Sequence, residues 1–181
     1  LKVRQLALRH LTRLIVGIAI GLVSVSAPAA GYPWAFTGPV QFQSSADGTK
    51  IRLTANSITY TCNYLTGAAC YIFGGLRMGL WAFPSPYPYP NQSTDQPIPK
   101  GYLLASFVPS APFQYGASNS TDSGYIEYTA PPYGTYYLSM ILSGQWGDPA
   151  QVTKTAVVYD AANFYDPETF GIPPTPPTPP P

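Results

Sequence analysis

The sequence predicts an all-β fold, an antiparallel sandwich or barrel of about seven short strands. Beyond residue 29, no stretch keeps an apolar period of 3.6 residues over three helical turns, whereas several alternate with a period of two. Clusters of Pro, Gly, Asn and Ser separate these stretches. The chain also carries 15 Tyr, 8 Phe and 3 Trp, whereas disordered chains are poor in aromatic residues. Short strands with turn signals between them are typical of antiparallel sandwiches and barrels.

The first three predicted strands are indicated by their alternation and by the turns around them. The first, 40–42, is short and is followed by the turn signal Ala-Asp-Gly at 46–48. The second, 50–61, places apolar residues at every second position near its start. The third, 76–81, alternates Leu, Met and Leu with Arg, Gly and Trp, so Trp81 is expected to face away from the apolar side chains.

Four further strands complete the predicted fold. The strand at 136–143 has the most regular alternation, with Tyr, Leu, Met and Leu on one face. The others are rich in the aromatic and β-branched residues that strands favour, and Pro, Gly, Asn and Ser clusters bound them. Together the four are expected at residues 102–108, 125–129, 136–143 and 152–159.

Residues 1–29 read as a cleaved signal peptide. A basic segment is followed by an apolar run of about 12 residues, too short to span a bilayer core of ~30 Å, and the small residues Ala27 and Ala29 fit a cleavage site. The alternative is an uncleaved anchor. Cleavage after Ala29, or alternatively after Ala30, predicts a secreted protein, periplasmic or extracellular, with no membrane span in the mature chain.

Cleavage would also remove His10, the only histidine, and four of the nine basic residues. The remaining five basic and eight acidic side chains give a net charge of −3, which lacks the basic footprint of a nucleic-acid-binding protein. A Ser-His-Asp or Cys-His site would have no base, and zinc or copper sites would lack imidazole ligands. We therefore expect no catalytic residue, no metal, no cofactor and no nucleic-acid partner.

One enzymatic alternative survives, a carboxylate-dependent glycoside hydrolase. Most carboxyls sit in turn-like sequences such as Ala-Asp-Gly-Thr, where surface and turn roles explain them more simply; Glu127 lies inside a predicted strand. The candidate carboxyls are Asp47, Asp95, Asp122, Glu127, Asp148, Asp160, Asp166 and Glu168.

Cys62 and Cys70 are the only cysteines. In an exported protein such a pair is expected to form a disulfide, here closing a nine-residue loop between the second and third predicted strands. Chain entropy assigns such a loop about 2.6 kcal/mol of stabilisation before strain is subtracted. The alternative is a redox or metal pair, but there is no Cys-x-x-Cys spacing and no further cysteine to complete a zinc site.

Residues 131–138, PPYGTYYL, resemble the turn into the F strand of immunoglobulin-like and fibronectin type III sandwiches, and residues 76–82, LRMGLWA, resemble a C strand. This resemblance implies an immunoglobulin-like β-sandwich in which Tyr136 supplies the tyrosine corner. It is similar to a recurrent domain of secreted bacterial proteins with no assigned activity. The cysteine pair departs from the antibody pattern, because it does not bridge the B and F strands.

Four segments follow from these observations. A signal peptide at 1–29 is followed by an N-terminal segment at 30–37 and a β-sandwich domain at 38–165. A Pro-rich tail at 166–181 is expected to adopt polyproline II, as a spacer or as a PxxP ligand.

The most unusual stretch is WAFPSPYPYP at residues 81–90. Alternating Pro and Tyr predict a stiff, extended loop carrying flat rings, and the candidate binding residues are Trp81, Phe83, Tyr87 and Tyr89. These rings would either bind a partner or cover an end of the sandwich. The sequence therefore predicts a secreted, non-catalytic structural or interaction module with an unidentified protein or glycan partner. The alternative to the interaction module is a carbohydrate-binding module that uses an exposed Trp/Tyr patch.

Overall fold

The computed structural model describes residues 34–62, 76–90, 98–110, 114–145 and 156–171. The predicted signal peptide, Cys70, Trp146 and the last ten residues of the predicted tail lie outside these ranges. No helix in the described ranges is long and apolar enough to cross a membrane. The strands are β1 (Trp34–Phe36), β2 (Val40–Ser44), β3 (Lys50–Tyr60), β4 (Leu76–Phe83), β5 (Tyr102–Phe107), β6 (Ser118–Glu127), β7 (Gly134–Gln145) and β8 (Ala156–Phe170).

The first sheet is built around β3. β6 pairs with one edge of β3, while β2 and β1 follow one another along the other edge, and every pairing is antiparallel. The interruption between β1 and β2 falls at Gly38 and Pro39. Pro39 has no N–H to donate to the ladder, but its carbonyl accepts a hydrogen bond from the Asn56 N–H at 3.0 Å. β1 and β2 thus form one edge broken at a proline.

The second sheet has the order β5-β4-β7-β8, again with antiparallel neighbours throughout. The prediction of an all-β, antiparallel fold is confirmed. The described residues form two separate sheets, so the arrangement is that of a sandwich. The sequence missed β1, because three residues are too few to display a period. It also placed the start of β6 seven residues too late, because the stretch SNSTDSG is polar.

The two sheets enclose one hydrophobic core to which both contribute. Val40, Leu53 and Ile58 come from the first sheet, and Met78 and Met140 from the second; all five are fully buried. Alternating side chains on β4 and β7 enter this core, as the period of two requires. Their intervening side chains lie on the outer face of the second sheet, where the prediction for Trp81 is confirmed.

β8 extends past the predicted end of the sandwich domain. It continues through Phe170, so residues 166–170, assigned by the sequence to the Pro-rich tail, are strand. Pro167 is tolerated because β8 is an edge strand and its register against β7 shifts between the pairs Tyr136–Glu168 and Leu138–Phe164.

Candidate functional site

A large cavity opens between the two sheets at the end where β3 begins and β8 ends, here called the open end. Its volume is about 550 Å³. The most deeply buried lining residues are Leu80, Leu104 and Leu138, which also belong to the core. Half-buried aromatic rings stand above them, and polar side chains lie nearer to solvent. The aromatic and polar lining residues are Phe42, Tyr128 and Phe170, and Ser44, Asp47, Glu168 and Thr169.

The turn between β2 and β3 supplies one carboxylate. The Gly48 N–H donates to the Ser45 carbonyl at 2.9 Å, and Gly48 has a φ of 70°, which glycine adopts without strain. The Asp47 carboxylate accepts hydrogen bonds from the Ser45 hydroxyl at 2.5 Å and from the Thr49 hydroxyl and N–H at 2.8 and 3.1 Å. These bonds lower the pKa of Asp47 to about 2, so it is ionised at neutral pH.

Strand β8 supplies the second carboxyl. Glu168 pairs in register with Tyr136, an inward-facing residue of β7, and it is half-buried. Within the described ranges, no hydrogen bond or ion pair engages this carboxyl. Desolvation raises the pKa of Glu168, and the neighbouring charge of Asp166 adds to the effect. The cavity therefore holds a carboxyl that has lost hydration without gaining a partner among the described residues.

Tyr136 anchors the aromatic side of the open end. Its hydroxyl donates to the Pro132 carbonyl, four residues upstream, at 3.2 Å. A tyrosine corner makes this type of bond. Tyr102 packs edge-on against the Tyr136 ring with centroids 5.6 Å apart, and Phe170 does so at 6.1 Å. The hydrogen bond to Pro132 thus fixes the Tyr136 ring, beside which Phe170 enters the cavity lining.

The sequence left open whether the rings of the Pro/Tyr segment bind a partner or cover an end of the sandwich. Phe83 and Tyr87 are each only 2% exposed, Trp81 is half-buried, and Tyr89 is 37% exposed. Phe83 and Tyr87 pack with Ile141 and with two β8 residues, Val158 and Ala161, on the outer face of the second sheet. Phe83 and Tyr87 are not part of an exposed patch, because this outer face is itself apolar and the segment folds back to cover it. It covers a sheet face and not an end of the sandwich.

Two polar residues hold that cover in place. The Asn163 side-chain amide donates to the Tyr87 carbonyl at 2.9 Å, and the Ser139 hydroxyl donates to the Asn163 amide oxygen at 2.6 Å. Burial raises the pKa of Tyr87 to about 12, with a smaller effect from Tyr89. The Pro/Tyr segment is therefore held on β7 and β8 by side-chain hydrogen bonds as well as by apolar contacts.

Asp160 is the buried carboxylate that sequence reasoning did not single out. It is 5% exposed, and its oxygens accept hydrogen bonds from the Phe36 and Ala161 N–H groups, both at 2.8 Å. Burial raises its pKa to about 6, against the lowering effect of these two bonds. On β8 the core-facing side chains are Val157 and Tyr159 before Asp160, and Ala162 and Phe164 after it. The spacing of three residues between Tyr159 and Ala162 breaks the alternation, and the register with β7 shifts at the same place. The register pairs Leu142 with Asp160 and then Ser143 with Val158, so Tyr159 is the extra residue of a bulge next to Asp160. The hydrogen bond from Phe36 links Asp160 on β8 to β1 of the other sheet.

The other candidate carboxyls that the structure describes lie on the surface. Asp122 receives three hydrogen bonds from Arg52, two of them from its Nε, and one from the Gly124 N–H, and these hold the pKa of Asp122 at about 2. Glu127 lies 3.5 Å from the Lys50 ammonium. Asp166 is exposed, while Asp95 and Asp148 lie outside the described ranges. Only Asp47 and Glu168, among the candidates that the structure describes, line one cavity.

Cys62 is buried, with 4% of its surface exposed. Its predicted partner, Cys70, lies outside the described ranges, so the disulfide stays a prediction. Within those ranges there is no cluster of three or more His, Cys, Asp or Glu that could hold a metal ion. Comparison of the chain with protein-family models, curated proteins and solved structures found no match.

Proposed function

We propose that this protein is a secreted, non-catalytic binding module with an immunoglobulin-like, fibronectin type III-like sandwich, and that its ligand enters the cavity at the open end. The cavity volume of about 550 Å³ carries the functional part of the proposal. Ligand pockets in proteins enclose roughly 300–1,000 Å³, with mostly apolar walls and a few polar groups. Leucine and aromatic side chains with two carboxyls at the rim fit that description.

The strand order supports the immunoglobulin-like part of the proposal. β4, β7 and β8 are consecutive neighbours in one sheet, as the C, F and G strands are in immunoglobulin domains. β2, β3 and β6 then take the places of A, B and E in the other sheet. The hydrogen bond from Tyr136 to Pro132 lies at the start of β7, where the F-strand corner belongs.

A cavity-filling variant tests the site. Ser44 lines the cavity, while the adjacent Gln43 is exposed on the outer face of β2. Ser44→Trp should place an indole inside the cavity, and Gln43→Trp should place the same ring outside. We expect the neutral apolar dye Nile red to gain fluorescence with the wild type and with Gln43→Trp, and to gain much less with Ser44→Trp.

Circular dichroism should show that all three proteins are folded before the dye is added. Equal dye fluorescence in the two Trp variants would place dye binding elsewhere on the protein. The absence of any fluorescence gain in the wild type would remove the evidence for an apolar ligand site.

Hydrolysis by a carboxyl pair is the second candidate function, and one observation favours it. Asp47 and Glu168 line the same cavity while their pKa values move in opposite directions, as those of an acid and a base do in glycosidases. Against this, both oxygens of Asp47 already accept hydrogen bonds within its own turn. Turnover of aryl glycosides that disappears in both Asp47→Asn and Glu168→Gln would establish the hydrolase. The binding module predicts no turnover.

A further inference from the structure

Among the described residues, the lining of the cavity at the open end carries negative side chains at its rim and no positive side chain. Asp47 and Glu168 are the only carboxyls in the part of the lining that the structure describes, and no described lysine or arginine belongs to it. The basic side chains near β3 and β4 are engaged elsewhere. Lys50 contacts Glu127, Arg52 contacts Asp122, and Arg77 donates to the Ser106 hydroxyl at 2.9 Å. Lys100, the remaining described basic residue, is exposed and is not part of the lining, so no described basic side chain contributes to the lining of this cavity.

Glu168 is the residue that most requires a counter-charge. A half-buried carboxylate loses hydration, and proteins normally compensate with hydrogen bonds or an opposite charge. Asp160, on the same strand, receives two backbone N–H groups, whereas Glu168 receives none from the described residues. The titratable groups around it are Asp166, Asp47, Tyr128 and Tyr136, and none of these is a cation at neutral pH.

The aromatic rings of the lining add a second reason for a cation. Phe42, Tyr128 and Phe170 line the same cavity as the two carboxyls. An ammonium group close to the face of an aromatic ring is attracted by the ring quadrupole, and more strongly when it is partly desolvated. Carboxylates and aromatic rings together are the surroundings in which proteins bind organic cations.

We infer that the ligand is a small organic ammonium ion, with its charged nitrogen beside Glu168 and Asp47 and its apolar body against the leucines of the cavity. This inference rests on the proposed function. The nitrogen supplies a partner to Glu168, which receives none from the described residues. The apolar body covers Leu80, Leu104 and Leu138, which form the deepest part of the lining.

Three probes of equal chain length test the sign of the charge. Octylammonium, octanol and octanoate share one apolar body and differ only in the head group. Their affinities should be measured by calorimetry and by displacement of Nile red from the full chain, at neutral pH and low salt. We expect octylammonium to bind about tenfold more tightly than octanol, and octanoate more weakly than either.

Glu168→Gln should reduce the preference for octylammonium over octanol to about twofold or less, while leaving the affinity for octanol unchanged. Glu127→Gln removes a carboxyl of the same chemistry from the exposed end of β6 and is the matched control; it should keep the full preference.

The outcomes separate the two proposals. Equal binding of the three probes would overturn the ammonium assignment and leave the apolar site intact, and so would tighter binding of octanoate. Failure of all three to bind, together with no response to Nile red, would overturn the binding function itself. A preference that survives in Glu168→Gln would remove this residue from the site.

One further probe separates a free amine from a lysine side chain of a partner protein. Nα-acetyl-lysine amide carries the same ammonium group on a shorter stem attached to a peptide backbone. Binding of this probe as tightly as octylammonium would overturn the small-molecule assignment in favour of a protein partner. We expect it to bind at least about tenfold more weakly, because its stem covers less apolar surface.

Discussion

The two ends of the sandwich are filled differently. At the end opposite the cavity, here called the closed end, Trp34 packs edge-on against Tyr60 and Tyr159, with ring centroids 5.7 and 5.1 Å apart. All three rings are 2% exposed or less. At the open end the inward positions of β4, β5 and β7 hold Leu80, Leu104 and Leu138, and a cavity of about 550 Å³ remains above them. Large rings close one end of the core, whereas leucines leave the other end accessible.

The same contrast applies to the carboxyls of β8. At the closed end, Asp160 is buried with two N–H donors and connects the two sheets. At the open end, Glu168 is half-buried with no donor among the described residues. A satisfied buried carboxylate serves the fold, while one that lacks a partner is available to a ligand. The closed end therefore accounts for stability, and the open end is where the proposed ligand would bind.

Removal of one aromatic ring from each end should give the largest difference between the two ends in the free energy of unfolding. Trp34→Ala at the closed end should destabilise the fold by about 3–5 kcal/mol, because it deletes a fully buried indole and leaves a void. Phe170→Ala at the open end should destabilise it by about half as much or less, because that ring is only partly buried and already borders a cavity. Urea unfolding of both variants measures the difference. Equal losses would show that both ends contribute equally to stability.

The buried carboxyl of the closed end should make stability depend on pH. Burial raises the pKa of Asp160 from 3.8 to about 6, so the folded state binds the proton more tightly than the unfolded chain does. Its contribution to stability is complete below a pH of about 4 and is lost as the pH rises through about 6. The shift corresponds to about 3 kcal/mol in the free energy of unfolding.

Asp160→Asn should abolish that slope, because the carboxamide does not titrate. The exposed variant Glu127→Gln should keep it. Urea unfolding at a series of pH values between about 4 and 7 measures the slope in each protein. If the slope of Asp160→Asn matches that of the wild type, another group is responsible for the titration.

Alternation in the sequence predicted which side chains enter the core, since a period of two is a property of the extended backbone alone. It placed Trp81 on the outer face for that reason. It could not predict that the outer face is covered, because the cover depends on a hydrogen bond between Asn163 and Tyr87, which are 76 residues apart. The role of Asp160 was equally inaccessible, because a bulge in β8 turns this side chain toward β1.

The cavity itself leaves no pattern in the sequence. Ile51, Leu80 and Leu138 look like ordinary core residues in three separate strands, and the space between them depends on how two sheets meet. Asp47 was assigned to a turn from its Ala-Asp-Gly context, and its hydrogen bonds match that assignment. That the same turn borders a cavity with Glu168, 121 positions later, follows only from the fold.

Substitutions that add side-chain volume should distinguish the two ends most directly, although the expected changes in the free energy of unfolding are the smallest. A Cβ on Gly144 would lie 2.0 Å from the Tyr159 hydroxyl oxygen and 2.6 Å from the ring carbon that bears it, so the closed end has no room even for a methyl group. Gly144→Ala should therefore destabilise the fold by about 1–3 kcal/mol. Ser44→Trp adds far more volume at the open end, yet it should change the free energy of unfolding by less than about 1 kcal/mol, because the indole enters existing space. Thermal and urea unfolding of the two variants measure both effects. A larger loss in Ser44→Trp than in Gly144→Ala would mean that the open end is packed as tightly as the closed end, and the cavity would not be available to a ligand.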